Sequence, residues 1–309
     1  MNQNRRSFLR NMGLIAASTI PASNLLAEAA FKKPFFEISI AEWSFHRTLF
    51  GKKMTNLDFP VRAKKEFGIS TVEYVNQFFK DKAEDTAYLK ELLQRCKDNG
   101  VKNHLIMCDG EGELGDKDDN KRKKAVENHY KWVEAAKFLG CKTIRVNAAG
   151  QGAAEEVMKN AIDGLGRLSE FAAKTGINVI VENHGGYSSN GQWLSSVMKG
   201  VNMKNCGTLP DFGNFCIKRV PGSAECAEEY DRYKGTQELM PFAKGVSAKT
   251  YNFDAEGNCV ETDYRRIMEI VKKSGFKGYV GIEYEGNKLS EDEGIRKTKE
   301  LIERVGMLV

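Results

Sequence analysis

The sequence predicts an α/β chain closed into a (β/α)8 barrel, and three observations carry that reading. From residue 35 onward, short apolar runs alternate with helix-length segments without a break. The run of Ile177, Val179, Ile180 and Val181 is too uniformly apolar and β-branched for a strand with one wet face, so it reads as a parallel strand covered on both sides. Acids, amides and a histidine collect where the later runs stop, and in a parallel barrel all such strand ends face one rim.

Taken in order, residues 35–43 form a first strand and residues 59–67 the helix behind it. Residues 71–76 form the second strand, followed by a helix over 83–99 with Gly100 as its stop. Residues 102–108 form the third, leading through the acidic 109–113 loop into a long helix over 120–139 that stops at Gly140. Residues 142–147 are the fourth strand and 154–174 its helix; the fifth strand ends at Glu182, with a helix over 192–199. The sixth, 207–211, is less regular because Pro210 has no N–H to donate to a ladder. Residues 244–249 and 278–286 supply the seventh and eighth, with helices over 264–274 and 292–305. A doubly wound open sheet is the runner-up, but no Gly-x-Gly-x-x-Gly turn follows the first strand.

The first residues follow another logic. Arg5-Arg6 followed by Phe8-Leu9, an apolar stretch over 12–26 and a small-x-small site at 27–29 read as a twin-arginine secretory signal over residues 1–29. Cleavage there leaves residues 30–309 as a single barrel domain of 280 residues, expected to be periplasmic or otherwise exported through the twin-arginine machinery. No later stretch reaches membrane-spanning length, so the mature chain has no stable membrane insertion. The net charge of +5 falls to +3 without the leader, and its interspersed pattern is not a nucleic-acid footprint. The seven cysteines contain no Cys-x-x-Cys pair, which excludes a zinc ribbon or a dithiol redox motif; buried free thiols are the expectation. Nothing in the chain sets an oligomeric state.

Glu182 closes the fifth strand, Asp211 the sixth, Ser247 and Lys249 the seventh, Glu283 and Glu285 the eighth. Positions 182, 211, 247 and 283 lie 29, 36 and 36 residues apart, about one β/α unit each. Three carboxylates converging on one rim repel one another unless a cation lies among them. Hard oxygen ligands favour manganese or magnesium, and zinc or cobalt if His184 joins. Secondary candidates for substrate contact are Trp43, which offers a ring to a sugar face, and Glu73, His104 and Asn147 on the second, third and fourth strands. His46 and His129 read as surface residues, and the basic run 121–124 as a solvated helix face.

The succession Val181-Glu182-Asn183-His184-Gly185-Gly186, Leu209-Pro210-Asp211-Phe212-Gly213-Asn214, Val246-Ser247-Ala248-Lys249-Thr250 and residues 278–286 resembles the xylose-isomerase-like barrel superfamily, within it the sugar phosphate isomerase/epimerase group. The resemblance covers nearly all of residues 35–305. It implies Glu182, Asp211 and Glu283 as metal ligands, with the two glutamates as a proton-transfer pair and a small carbohydrate as substrate. Relatives usually carry His-x-Lys on the seventh strand, where this chain has Ser247 and Lys249. They often place histidine three residues after the sixth-strand aspartate, where this chain has Asn214. The implied activity is a metal-dependent isomerase or epimerase acting by α-proton abstraction, with Lys249 steadying the enediolate. A 3-keto-glycoside lyase or hydratase on the same metal site, a metal-independent glycoside hydrolase using Glu182 and Glu283, and a sugar-binding barrel without catalysis stay open.

Overall fold

Eight parallel strands pair side by side in the order β6-β5-β4-β3-β2-β1-β10-β9. They are Glu37–Ala41 (β1), Thr71–Val75 (β2), Lys102–Met107 (β3), Thr143–Val146 (β4), Asn178–Glu182 (β5), Cys206–Leu209 (β6), Val246–Thr250 (β9) and Tyr279–Tyr284 (β10). The computed structural model describes residues 34–309, so the leader expected over residues 1–29 lies outside the described residues. The sheet curls until its edges meet: Thr208 bridges Ala243 and Asp211 bridges Ser247, both in parallel sense. Pro210 interrupts the ladder at that seam, yet its carbonyl still accepts the Ser247 N–H at 2.9 Å. A residue that cannot donate thus leaves β6 short without opening the barrel.

Helices cover the outer face: Phe59–Phe67 (α2), Thr86–Asp98 (α3), Asp119–Leu139 (α4), Ala154–Ala173 (α5), Gly191–Val201 (α6), Tyr264–Lys273 (α8) and Glu291–Leu308 (α9), with the short His46–Phe50 (α1) on the rim after β1. The glycine stops behave as expected. Gly100 and Gly140 both take positive φ, 63° and 79°, which a side-chain-bearing residue adopts only at a cost. The main core lies between sheet and helices, while a separate cluster of Ala41, Val75, Leu105, Met107, Ile180 and Leu209 fills the barrel's interior. That plug supports the polar layer above it.

The segment between β6 and β9 departs from the simple alternation. An antiparallel hairpin, Cys216–Arg219 (β7) and Cys226–Glu229 (β8), precedes the helix Arg232–Leu239 (α7). Its strands are mostly exposed and carry no apolar period, so no pattern marks them. A Cys216–Cys226 disulfide closes the hairpin, which corrects the expectation of free thiols for those two; the other five cysteines are free and buried. His129 also departs from expectation. It is buried on the inner face of α4, its Nδ1 2.7 Å from the Ala125 carbonyl. Nor is the basic run all solvated: Arg122 turns inward to Asp163 and the Asp116 carbonyl.

Two glycines of α5 test the packing. A Cβ on Gly164 would fall 2.1 Å from the Leu114 carbonyl oxygen, whereas one on Gly166 meets nothing within 4 Å. Urea denaturation of the two alanine variants should move in opposite directions. Gly164→Ala should lose about 1–3 kcal/mol through overpacking, and Gly166→Ala should gain about 0.5–1 kcal/mol through helix propensity. Equal effects would refute this account of the helix–loop contact.

Candidate active site at the barrel mouth

The two-residue period of each strand decides which polar groups meet. It turns Glu182 with His184, Ser247 with Lys249, and Glu283 with Glu285 to the inner side of the rim, and Asp211 joins them across the seam. Glu182, Asp211, Ser247, Lys249 and Glu283 are all buried. The Lys249 ammonium lies 3.1 Å from Glu283, 3.4 Å from Glu285 and 3.6 Å from Asp211. Ser247 Oγ is 2.7 Å from Asp211 Oδ2 and 2.8 Å from Glu283 Oε2. One hydroxyl carries one proton, so it donates to only one of these oxygens at a time; the other contact needs a proton on a carboxyl. Burial pushes Asp211 up to about 6, even against the pull of Lys249, and burial raises Glu283 as well. Glu285 is held below the ordinary range: burial works against its charge, but Lys249 and the Trp43 indole N–H outweigh it.

A second cation serves the opposite side. Arg145, buried on β4, lies 2.6 Å from Asp109 and 2.9 Å from Glu182, the latter contact being an ion pair rather than an aligned hydrogen bond. Burial alone would cost its charge, yet Asp109 and Glu182 hold it firmly protonated. Asn214 donates to Glu182 Oε1 at 3.0 Å, leaving Glu182 Oε2 buried without a hydrogen-bond partner.

Glu182, Asp211 and Glu283 each offer an oxygen, all within 4.8 Å of one another. That separation and an excess of carboxylates over Lys249 and Arg145 suit a hard divalent cation. These residues therefore fit the metal implied by the strand-end pattern, with Ser247 in the place where a nitrogen ligand is absent.

A family described as "Xylose isomerase-like TIM barrel" matches residues 61–305. The chain belongs to that family. Among solved structures, it is similar to the IolI protein with a bound zinc atom: 17% identity, TM-score 0.67, covering 88% of this chain and 98% of that one. It is also similar to a sugar phosphate isomerase/epimerase from Parabacteroides distasonis: 15% identity, TM-score 0.67, covering 91% and 97%. A third is 3-keto-D-glucoside 4-epimerase from E. coli: 14% identity, TM-score 0.61, covering 87% and 98%. At these identities the likeness is one of fold. No curated protein sequence matches the chain.

Within this xylose isomerase-like barrel the secondary candidates part company. Trp43 lies on the rim, its indole bonded to Glu285 and its ring stacked on His46, which is therefore part of the rim rather than free surface. Asn147 donates to Asp109 at 2.7 Å, and with the exposed His184 it lines a cavity of about 690 Å³. Glu73 is buried below the mouth, bonded to Ser39 at 2.5 Å. A Cβ at Gly281 would come within 2.8 Å of its carboxylate, so this glycine is what gives Glu73 room. Burial pushes Glu73 up to about 8, so it stands as a neutral acid beneath the ionised layer. His104 corrects the expectation outright. It lies in the first half of β3, toward the opposite end of the barrel, its ring 4.5 Å from that of Tyr279, and burial lowers it to about 4. Asp109 and Arg145 were not singled out from the sequence. The signal was there: an arginine amid the apolar residues of a buried strand needs a partner.

Arg145→Met would leave Asp109 and Glu182 buried without their cation, and chemical denaturation should show a loss of about 3–5 kcal/mol; a change below 1 kcal/mol would contradict the pairing. Glu42 gives a pH test. Buried, and bonded to Asn56 and the Val75 N–H, it is pushed by burial from 4.5 up to about 8. Between those values the folded state keeps a proton that the unfolded chain releases, so its contribution to stability falls as pH rises from about 4.5 to about 8 and then levels. Urea midpoints across that range should drop less steeply for Glu42→Gln than for the parent; parallel curves would exclude this assignment.

Proposed function

We propose that this family member is an isomerase or epimerase acting on a free sugar or keto-sugar by moving a proton on the carbon beside a carbonyl. The convergence of Glu182, Asp211 and Glu283, which bring one carboxylate oxygen each within 4.8 Å of one another, carries the reading. A divalent ion bound by those three, manganese or magnesium by the hardness of the oxygens, would polarise the substrate's carbonyl and so acidify the neighbouring C–H.

The chain's own residues supply the rest. Glu182, steadied by Asn214 and Arg145, is the base that takes the α-proton. Glu283, whose raised proton affinity fits an acid, returns a proton from the opposite strand. Lys249 stays charged at the mouth and faces the negative charge that develops on the enediolate oxygen. Trp43 and Glu285 hold the rim on that side. Export by the twin-arginine route is part of the same proposal: it rests on the reading of residues 1–29, and the Cys216–Cys226 disulfide supports an oxidising compartment. Sugar phosphates are scarce there, which favours an unphosphorylated substrate.

Solvent-deuterium incorporation followed by NMR tests the chemistry on a panel of D-fructose, D-tagatose and 3-keto-glucose. The manganese-loaded protein should exchange an α-hydrogen, and chelation should stop it. Glu182→Gln and Glu283→Gln should each slow exchange by about 10²–10⁴-fold with circular dichroism unchanged. Exchange that survives chelation and both substitutions would sink the proposal, as would its absence across the panel.

A further inference from the structure

The buried acids occupy only the centre of the mouth. Beside them opens the cavity of about 690 Å³ that Asn147 and His184 line, and its outer wall is the β7–β8 hairpin through Ile217, Lys218 and Glu228. A single hexose does not need such a space, which falls in the roughly 300–1,000 Å³ range of clefts that enclose drug-sized ligands. It is tied to the site: Asn147 bonds Asp109, Asp109 pairs with Arg145, and Arg145 reaches Glu182.

The lining says what fits. Lys218 and Glu228 are register partners across the hairpin, so the wall presents a cation and an anion together. Backbone around Gly150, Gly185 and Gly186 adds peptide groups, while Ile217, Ala148 and Tyr187 give apolar surface. The nearby first turn of α5 carries Glu155 and Glu156, which disfavours a phosphate at that helix start. Balanced charge, peptide donors and acceptors, and apolar patches suit a neutral polyhydroxylated ring. The wall is also held in place. Its strands are largely exposed and have little core of their own, and the Cys216–Cys226 bond closes them.

We infer that this cavity is a second subsite, built to hold the neighbouring unit of a neutral glycoside whose first unit sits at the acids. The inference deepens the proposed function and rests on it for the place of the first unit. The ligand is then a disaccharide or other two-unit glycoside, and the hairpin is the element that selects it.

Binding can be measured apart from catalysis, by calorimetry on the full-length oxidised protein with cellobiose and maltose as two-unit probes and methyl β-D-glucoside and methyl α-D-glucoside as one-unit controls. The matching two-unit probe should bind at least ten-fold tighter than its control, and glucose 6-phosphate no tighter than glucose. Ile217→Trp, which fills the wall, should bring that ratio close to one. Should that variant misfold, the paired Cys216→Ser/Cys226→Ser change, which frees the hairpin, should reduce the ratio as well. Equal affinity of one- and two-unit probes, no binding by either, or a ratio untouched by both variants overturns the subsite. Deuterium exchange without a two-unit preference would leave the chemistry standing and remove the subsite; a two-unit preference without exchange would do the reverse.

Discussion

Compensation of buried charge is the constraint on which the mouth of this barrel depends. Asp109, Glu182, Asp211, Glu283 and Glu285 crowd into a region with two built-in cations, Lys249 and Arg145. Ionised groups removed from water are tolerated only when paired. Each lysine or arginine contact here is therefore structural and electrostatic at once. Lys249 of β9 gathers the acids at the ends of β6 and β10, and Arg145 ties β5 to the loop after β3. The residual negative charge suits the divalent ion proposed above, and burial raises the proton affinity of Asp211 and Glu283.

The scaffold turns that constraint into geometry. Parallel strands bring their C-terminal ends to one rim, and the alternation of side chains points every second residue inward. The apolar interior plug and the neutral, buried Glu73 fill the space below, so the ionised layer sits on a dry floor. Closure depends on a weak seam. Only isolated bridges join β6 to β9, and Asp211 and Ser247 are themselves one of those bridges. The acid that completes the triad is thus also part of what shuts the barrel, and Asn183 reinforces it by bonding the Asp211 N–H and carbonyl.

Around this fixed centre the loops diversify the surface. The stapled hairpin after β6 and the Gly-rich turn after β5 enclose a space much wider than the triad needs. Barrels of this kind commonly keep the chemistry on strand ends and place discrimination on the loops. Here the side chains proposed for the chemistry are buried and the wall proposed to discriminate is largely exposed, so the two could vary separately.

Most of the fold was legible because it follows from local physics: buried parallel strands demand apolar runs, helices show their stops, and Gly100 and Gly140 end them as expected. The strand-end acids were legible too, since Glu182, Asp211 and Glu283 stand at a spacing of about one β/α unit. What the sequence by itself determined is the order of the elements and which residues end each strand. Three-dimensional packing alone decided which of those residues share a space. His104 and Glu73 carried the same polar signal as Asn147, yet one lies at the far end and one below the mouth. Depth along a strand is set by register with neighbours distant in the chain, including the shift between Val72 and Glu73 in the β2–β3 pairing. The Arg145–Asp109–Glu182 linkage and the Cys216–Cys226 pair arise for the same reason. They are contacts across the rim or across a hairpin without periodicity, and no local preference encodes a distance between side chains that only the closed barrel brings together.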